Sequence, residues 1–353
     1  MKITTCVALV LVLALLGESC RKREEPQPPT PSMVIPPLDV ILAKKADALT
    51  VSSQVFNSTN SPLRSHILKA AIDPQDRVWV CAKVEGSIDH PGRGLAYFDG
   101  TVWKTVTRQN YPNLPNDGAY DITFDKAGTP WYGTMAGLVK LDADAPKLIP
   151  IPLSNPAIAN GIAYRVSITP SDRVWTAGIG SVSRYNGVGF ETLRVSINEQ
   201  ESNLLTDKQN RLWVAGRSGL TQVSPDLKTT TYSALNAPLP ANNVTDVTIT
   251  PNDDVWFSVN SGSSTKLFRL RNGAFSALDL TNIVPVGPIE ALSSDRLGRV
   301  WFTVGKTIYR ADADGTVRQI QVPNLTGQVI DFTFDSKNRG WISAYTQLIR
   351  FTE

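Results

Sequence analysis

Ile122 to Leu138 reads ITFDKAGTPWYGTMAGL, and Leu204 to Leu220 reads LLTDKQNRLWVAGRSGL. Aligned on Trp131 and Trp213, both carry an aspartate six places before the tryptophan, a glycine or asparagine three places before it, and a Gly-Leu pair beginning six places after it. The unit recurs around Trp79, Trp175, Trp256, Trp301 and Trp341, so seven of the eight tryptophans hold one equivalent place, 38 to 52 residues apart. The sixth place before it holds Asp73, Asp125, Thr169, Asp207, Thr250, Asp295 and Asp335; the third holds Asp76, Gly128, Asp172, Asn210, Asp253, Gly298 and Asn338. A period of about 40 residues, built of short alternating segments and tight turns, predicts an all-β fold. We read it as a seven-bladed β-propeller of four-stranded antiparallel blades, spanning residues 48–353.

The fifth repeat shows the chemistry of one blade. Residues 244–250 alternate as a strand, 251–254 form a turn, 255–259 a second strand and 266–270 a third, and Asn272-Gly273 supplies a hairpin into a fourth. The recurring aspartate is turn chemistry, since its carboxylate accepts backbone N–H groups while Gly or Asn tolerates positive φ. The tryptophans are expected to act as wedges between neighbouring blades. The last repeat ends on its third strand, residues 347–351, and residues 48–56 are strand-like, so the N-terminal segment is expected to supply the missing outer strand. That closure removes an open sheet edge.

Composition is that of a soluble globular protein, 42% hydrophobic and 19% charged with a net charge of +3. No basic tract interleaved with aromatics argues for nucleic acid. Three cysteines make no disulfide framework, and Cys81, beside Trp79, reads as a buried, inert thiol.

The N-terminus reads as an address. Lys2 precedes an apolar run from Val7 to Leu16, then Gly17-Glu18-Ser19-Cys20, a secretory signal over residues 1–19 that is short for a membrane span. A cysteine at the cut resembles the bacterial lipobox, which implies lipidation of Cys20. The mixed charges of residues 21–25 resemble the export signal of surface lipoproteins of Bacteroidetes-like bacteria. Residues 20–47 follow as a tether; 26–37 carry six prolines and read as an extended spacer. Residues 38–49 have some helical character, too short to assign. The expected location is the cell envelope, lipid-anchored at the outer membrane or cell surface.

The repeat resembles the two-component regulator propeller of bacterial sensor ectodomains, roughly I-x-x-D-x-x-G-x-x-W-x-G-T-x-x-G-L, across all seven units. Residues 297–303 (LGRVWFT) also resemble the virginiamycin B lyase propellers. The first resemblance implies a ligand-binding sensor module. Propellers of that type usually precede a membrane helix and signalling domains; this sequence ends at Glu353, so no kinase or DNA-binding output is expected. Lyase activity in the second family depends on a late histidine with acidic residues, whereas the two histidines here are His66 and His90. Its active site is therefore not carried over.

Ten residues before each landmark tryptophan lie Lys69, Asp121, Arg165, Asn203, Asp246, Ala291 and Asp331, and the next position is apolar in all seven repeats. Period-two alternation puts the two sets on opposite sides of the innermost strands, so the polar set is expected near the channel entrance. One reading is a self-neutralising ring, because Asp331, Lys69, Asp121 and Arg165 alternate in sign through blades seven, one, two and three. The other is a polar-ligand or cation site, with Asp246 as the member lacking a cationic neighbour in blades four or six. The long loop 83–93, carrying Glu85 and His90, is expected on the same end; the loop 109–118 adds Tyr111 and amides, a composition suited to glycan or peptide contact and equally to plain solvation. The expected function is a non-catalytic module for a glycan, peptide or partner protein, with no catalytic residues, metal or cofactor. The alternative is a lyase- or lactonase-type enzyme using a channel cation, with Asp121, Asp246 and Asp331 as its carboxylates.

Overall fold

Each repeat folds as an antiparallel sheet, and seven such sheets stand round a common channel. The computed structural model describes residues 35–63, 66–82, 94–114, 118–142, 146–149, 161–197, 203–262 and 266–353. The innermost strands are Ile67–Ile72, Asp121–Phe124, Arg165–Ile168, Leu204–Thr206, Val244–Ile249, Ile289–Ser294 and Val329–Phe334. Each touches the innermost strand of the next blade, and the seventh touches the first. The landmark tryptophan sits on the second strand of every blade. Its neighbours there are buried on both faces, hence the near-continuous apolar runs such as Val78–Ala82 and Leu212–Gly216.

The tryptophans wedge the blades together. Trp79 packs with Ile122 and Tyr132 of blade two, Trp213 with Val247 and Phe257 of blade five, and Trp341 with Val80 and Ala96 of blade one. In blades one, two, four and six the aspartate six places earlier holds the indole as well as the turn; Asp335 holds its turn, while Trp341 Nε1 has no hydrogen-bond partner. Asp73 Oδ1 accepts the Gln75 and Arg77 backbone N–H groups at 2.9 Å, while Oδ2 accepts Trp79 Nε1 at 2.9 Å and Arg77 Nε. Asp207 does the same for Gln209, Arg211 and Trp213, and Asp295 for Leu297, Arg299 and Trp301. Thr169 in blade three has one oxygen instead of two; it accepts the Arg173 N–H, and Trp175 Nε1 is left without a partner.

The residue three before the tryptophan adopts positive φ in every blade, from 58° to 79°, and has a second role that local turn chemistry does not reveal. Its side chain latches the preceding blade. Lys126 N donates to Asp172 Oδ1, Ser171 N to Asn210 Oδ1, Lys208 N to Asp253 Oδ1, Arg296 N to Asn338 Oδ1 and Ser336 N to Asp76 Oδ1. Two joints, one to two and five to six, differ in both partners. Pro74 and Pro251 have no N–H to give, and Gly128 and Gly298 have no side chain to receive it. There the proline ring packs over the glycine instead, with Pro74 Cδ and Pro251 Cδ 3.6 and 4.0 Å from where a Cβ would stand.

Residues 38–56 run along the rim of three blades. Leu38–Leu42 adds to the outer strand of blade five in parallel, and Lys44–Lys45 and Leu49–Thr50 add to that of blade six. The helical character of 38–49 is thus overridden by an open strand edge, and residues 38–45 are docked chain instead of free tether. Ser52–Phe56 then pairs antiparallel with Gln347–Thr352 and completes blade seven. Phe56 is buried against Phe98, Trp103 and Trp341, so this strand also seals the joint to blade one.

Candidate functional site

The innermost strands do not keep strict alternation where they enter the channel. Blades one, five, six and seven carry a register shift there, between Ile67 and Lys69, Val244 and Asp246, Glu290 and Ser293, and Val329 and Asp331. A bulge re-aims side chains at the rim of a sheet. Ala291, at the equivalent place in blade six, pays for its position with φ of 48°, a left-handed conformation rare outside glycine. These bulges surround a cavity of about 830 Å³ at one mouth of the channel, within the range of small-molecule sites.

Lys69, Arg165, Asn203, Asp246, Ala291 and Asp331 line that cavity. Asp121, the remaining member of the sequence-derived set, is not among the lining residues. It is buried, with Oδ1 accepting Ile122 N at 2.9 Å and Oδ2 accepting Val166 N of blade three at 3.0 Å. Burial pushes its carboxyl up, opposed by the Lys69 and Arg165 charges and those two N–H groups. Lys69 Nζ lies 2.7 Å from Asp331 Oδ2. Burial works to lower the Lys69 ammonium, but Asp331 and Asp121 outweigh it and hold it above its usual range. The alternation of sign through blades seven, one, two and three is therefore a physical chain of compensated charges.

Asp246 differs from its expectation as an uncompensated group. No ion pair of Asp246 is seen among the described residues, but it is saturated by donors. Asn203 Nδ2 of blade four donates to Oδ1 at 2.7 Å, Val247 N donates to the same oxygen at 2.8 Å, and Leu292 N of blade six donates to Oδ2 at 2.7 Å. One carboxyl thus joins three blades. Burial pushes its pKa to about 7, against the lowering effect of the two backbone N–H groups, with Asp331 adding to the rise. Burial outweighs the donors because a charged carboxylate at 7% exposure loses most of its hydration.

Further lining comes from residues that the inner-strand pattern does not reach: Arg217, Asn260 and Tyr345, with Glu290, Gln328 and Asn243. Arg217, Asn260 and Tyr345 all stand four places after a landmark tryptophan, in the connection between second and third strands. Reading that register across the repeats would have found them. Tyr345 packs edge-on against His66, ring centroids 3.6 Å apart, and Gln328 Nε2 donates to Glu290 Oε2 at 3.3 Å. Glu85 and His90, on the loop 83–93, and Cys20 lie outside the described residues. Cys81 is buried, and burial beside Asp121 pushes its thiol well above the usual range, a chemically quiet group.

Among the described residues no three His, Cys, Asp or Glu side chains are arranged to hold a metal ion. Asp121, Asp246 and Asp331 are each committed elsewhere: two to backbone N–H groups across blade joints, one to a lysine. That donor set suits structural clamping and polar recognition better than cation ligation.

Neither protein-family models nor curated protein sequences match the chain. Solved structures do. A streptogramin B lyase is similar at 16% identity and TM-score 0.68, over 86% of this chain and 97% of that one. Virginiamycin B lyase from Staphylococcus aureus, in a catalytically inactive form with quinupristin, is similar at 15% identity and TM-score 0.68, over 86% and 99%. The extracellular domain of the hybrid two-component system BT3049 from B. thetaiotaomicron is similar at 14% identity and TM-score 0.64, over 85% of this chain and 41% of that one. Both groups resembled by the repeat motif thus return as structural neighbours. At these identities the likeness establishes the shared propeller fold and leaves the ligand to the site itself.

Proposed function

We propose that this protein is a lipid-anchored, extracytoplasmic propeller that binds a small polar ligand at the channel mouth, without catalysis. The observation that carries the reading is the cavity of about 830 Å³ built by six of the seven blades, lined by lysine, arginine, carboxyl, amide and tyrosine side chains on rigid inner strands and their connecting turns. Apolar residues would suffice to pack a propeller axis; polar groups there must be met by each other, by water or by a ligand. The likeness to the extracellular domain of a two-component system supports a binding role. The anchor rests on Cys20 and the signal before it.

Two experiments test this. A thermal-shift screen of saccharides, short peptides and amino acids should raise the melting midpoint of the wild type with at least one compound, and Tyr345→Ala should abolish that rise. A compound that stabilises both proteins equally would place the site elsewhere. Cys20→Ser should release the protein from membranes, and retention of a metabolic palmitate label in that variant would refute the anchor.

A further inference from the structure

The exposed apolar side chains are not spread evenly over the surface. Four of those among the described residues, Ile35, Val40, Ile41 and Leu42, fall within eight positions, and Leu42 is 73% exposed. They stand on and just before Leu38–Leu42, the outermost strand of the five-stranded sheet of blade five. Its pairing with Phe275 to Asp279 fixes one edge of that strand and leaves the other at the end of the sheet. Leu38, opposite Phe275, packs inward on the joint between blades four and five, whereas Val40, Ile41 and Leu42 remain in water. A contiguous apolar strip on a folded domain marks a contact surface.

We propose, resting on the lipid anchor argued above, that this strip is the surface by which the propeller lies against its own membrane, with Val40 and Leu42 in the headgroup layer. Position along the chain supports this first. Ile35 follows Cys20 by fifteen positions, a reach of about 47 Å at ~3.1 Å per residue in the extended form that prolines favour. The strip is therefore the first folded element after the lipid. Its encounter with the bilayer is intramolecular, so a weak affinity suffices. Charge is the second support. Residues 35–47 hold Lys44 and Lys45 against Asp39 and Asp47, a net charge of zero, so apolar contact drives docking and a zwitterionic headgroup layer accepts it. A second copy of the chain is the competing occupant, and the sequence is built against it. Pro36 and Pro37 precede the strand, Asp39 interrupts it and Lys44-Lys45 follow, features that keep a free edge from pairing with another strand. The strip belongs to the outermost strand of its blade and the cavity to the innermost ones, so docking by the rim leaves the channel mouth open to its ligand.

The protein expressed with its signal, purified from membranes and reconstituted in phosphatidylcholine vesicles tests this. Leu42→Cys takes an apolar, environment-sensitive fluorophore, because the lipid occupies the Cys20 sulfur and Cys81 is buried. Val188→Cys, on the hairpin of blade three, carries the same label for comparison. Both positions are exposed, and unchanged melting midpoints would verify that both variants fold. A lipid with a quencher just below its headgroup should quench the Leu42 label by about half or more and the Val188 label by about a tenth or less. Equal quenching of the two labels, or none at either on protein that still sediments with the vesicles, would overturn the docking and leave the anchor standing. Quenching that required added phosphatidylglycerol would assign the contact to the lysines and overturn apolar docking. A blue shift of the Leu42 label that grows with protein concentration, without lipid quenching, would give the strip to a second copy instead. Protein recovered unacylated in the soluble fraction would remove the anchor and the docking with it.

Discussion

Replacing Asp246 by asparagine should change how stability depends on pH, and the structure sets the size. Burial raises this carboxyl from 3.8 to about 7 in the folded protein. Between those values the unfolded chain has released the proton and the folded chain still holds it. Folding is then favoured by low pH: the contribution is complete below about 4, declines as pH rises, and is lost above about 7. At ~1.4 kcal/mol per tenfold, the whole span is about 4 kcal/mol, and the portion between pH 5 and 8 is about 3 kcal/mol. Asp246→Asn has no proton to lose. Its single oxygen can replace Oδ1, serving Asn203 and Val247, but its amide then faces the Leu292 N–H, an unmet buried donor worth about 1–3 kcal/mol at every pH. The advantage of wild type over Asp246→Asn should therefore fall by about 3 kcal/mol between pH 5 and pH 8. Urea unfolding of both proteins at the two pH values measures this, and effects common to other groups cancel in the difference. Parallel pH profiles, or an advantage that grows with pH, would show that the three donors keep Asp246 ionised and would refute the reasoning.

Removing residues 1–47 strips the parallel strand from blade five and the Lys44–Lys45 pairing from blade six, leaving Leu49–Thr50 in place, and should cost a few degrees of melting midpoint. Removing 1–57 also takes the outer strand of blade seven with Phe56, and should cost more than about 10 °C, combining a large buried side chain with an opened edge; equal midpoints would contradict this closure. Trp213→Phe should destabilise by about 2 kcal/mol more than Trp175→Phe, because only Trp213 donates to an aspartate; equal losses in urea titrations would remove the aspartate–indole bond from the account. Gly216→Ala should destabilise by about 1–3 kcal/mol, since its Cβ would run into the Ser196 carbonyl, whereas Gly189→Ala, with open space around it, should stay within about 0.5 kcal/mol.

The architecture was legible because a repeat writes the same constraints seven times. One tryptophan per period with an aspartate or threonine six places before it located every blade, and the missing strand after Phe351 pointed to the N-terminal segment that fills it. The inter-blade latch was written in the same register, in Pro74 with Gly128 and Pro251 with Gly298, but it becomes readable only when residues of adjacent repeats are taken as pairs. The docking of 38–45 was not legible, because strand addition to an exposed edge uses main-chain hydrogen bonds and imposes little on the side chains. Asp246 shows the same limit. Pairing charge with charge left it uncompensated, whereas its partners are backbone N–H groups and an amide, which carry no sign. Arg217, Asn260 and Tyr345 were missed for a simpler reason: they share a register, four after the tryptophan, that holds no common residue type.

The central claim, a ligand at the channel mouth, is tested most directly by blocking the mouth. Asn260 lies exposed on its rim, and Val188, 97% exposed, is absent from its lining. Titrating a ligand that stabilises the wild type into Asn260→Trp and Val188→Trp should show affinity reduced by about tenfold or more in the first and unchanged in the second. Equal affinity in all three proteins would contradict the assignment of this cavity as the binding site.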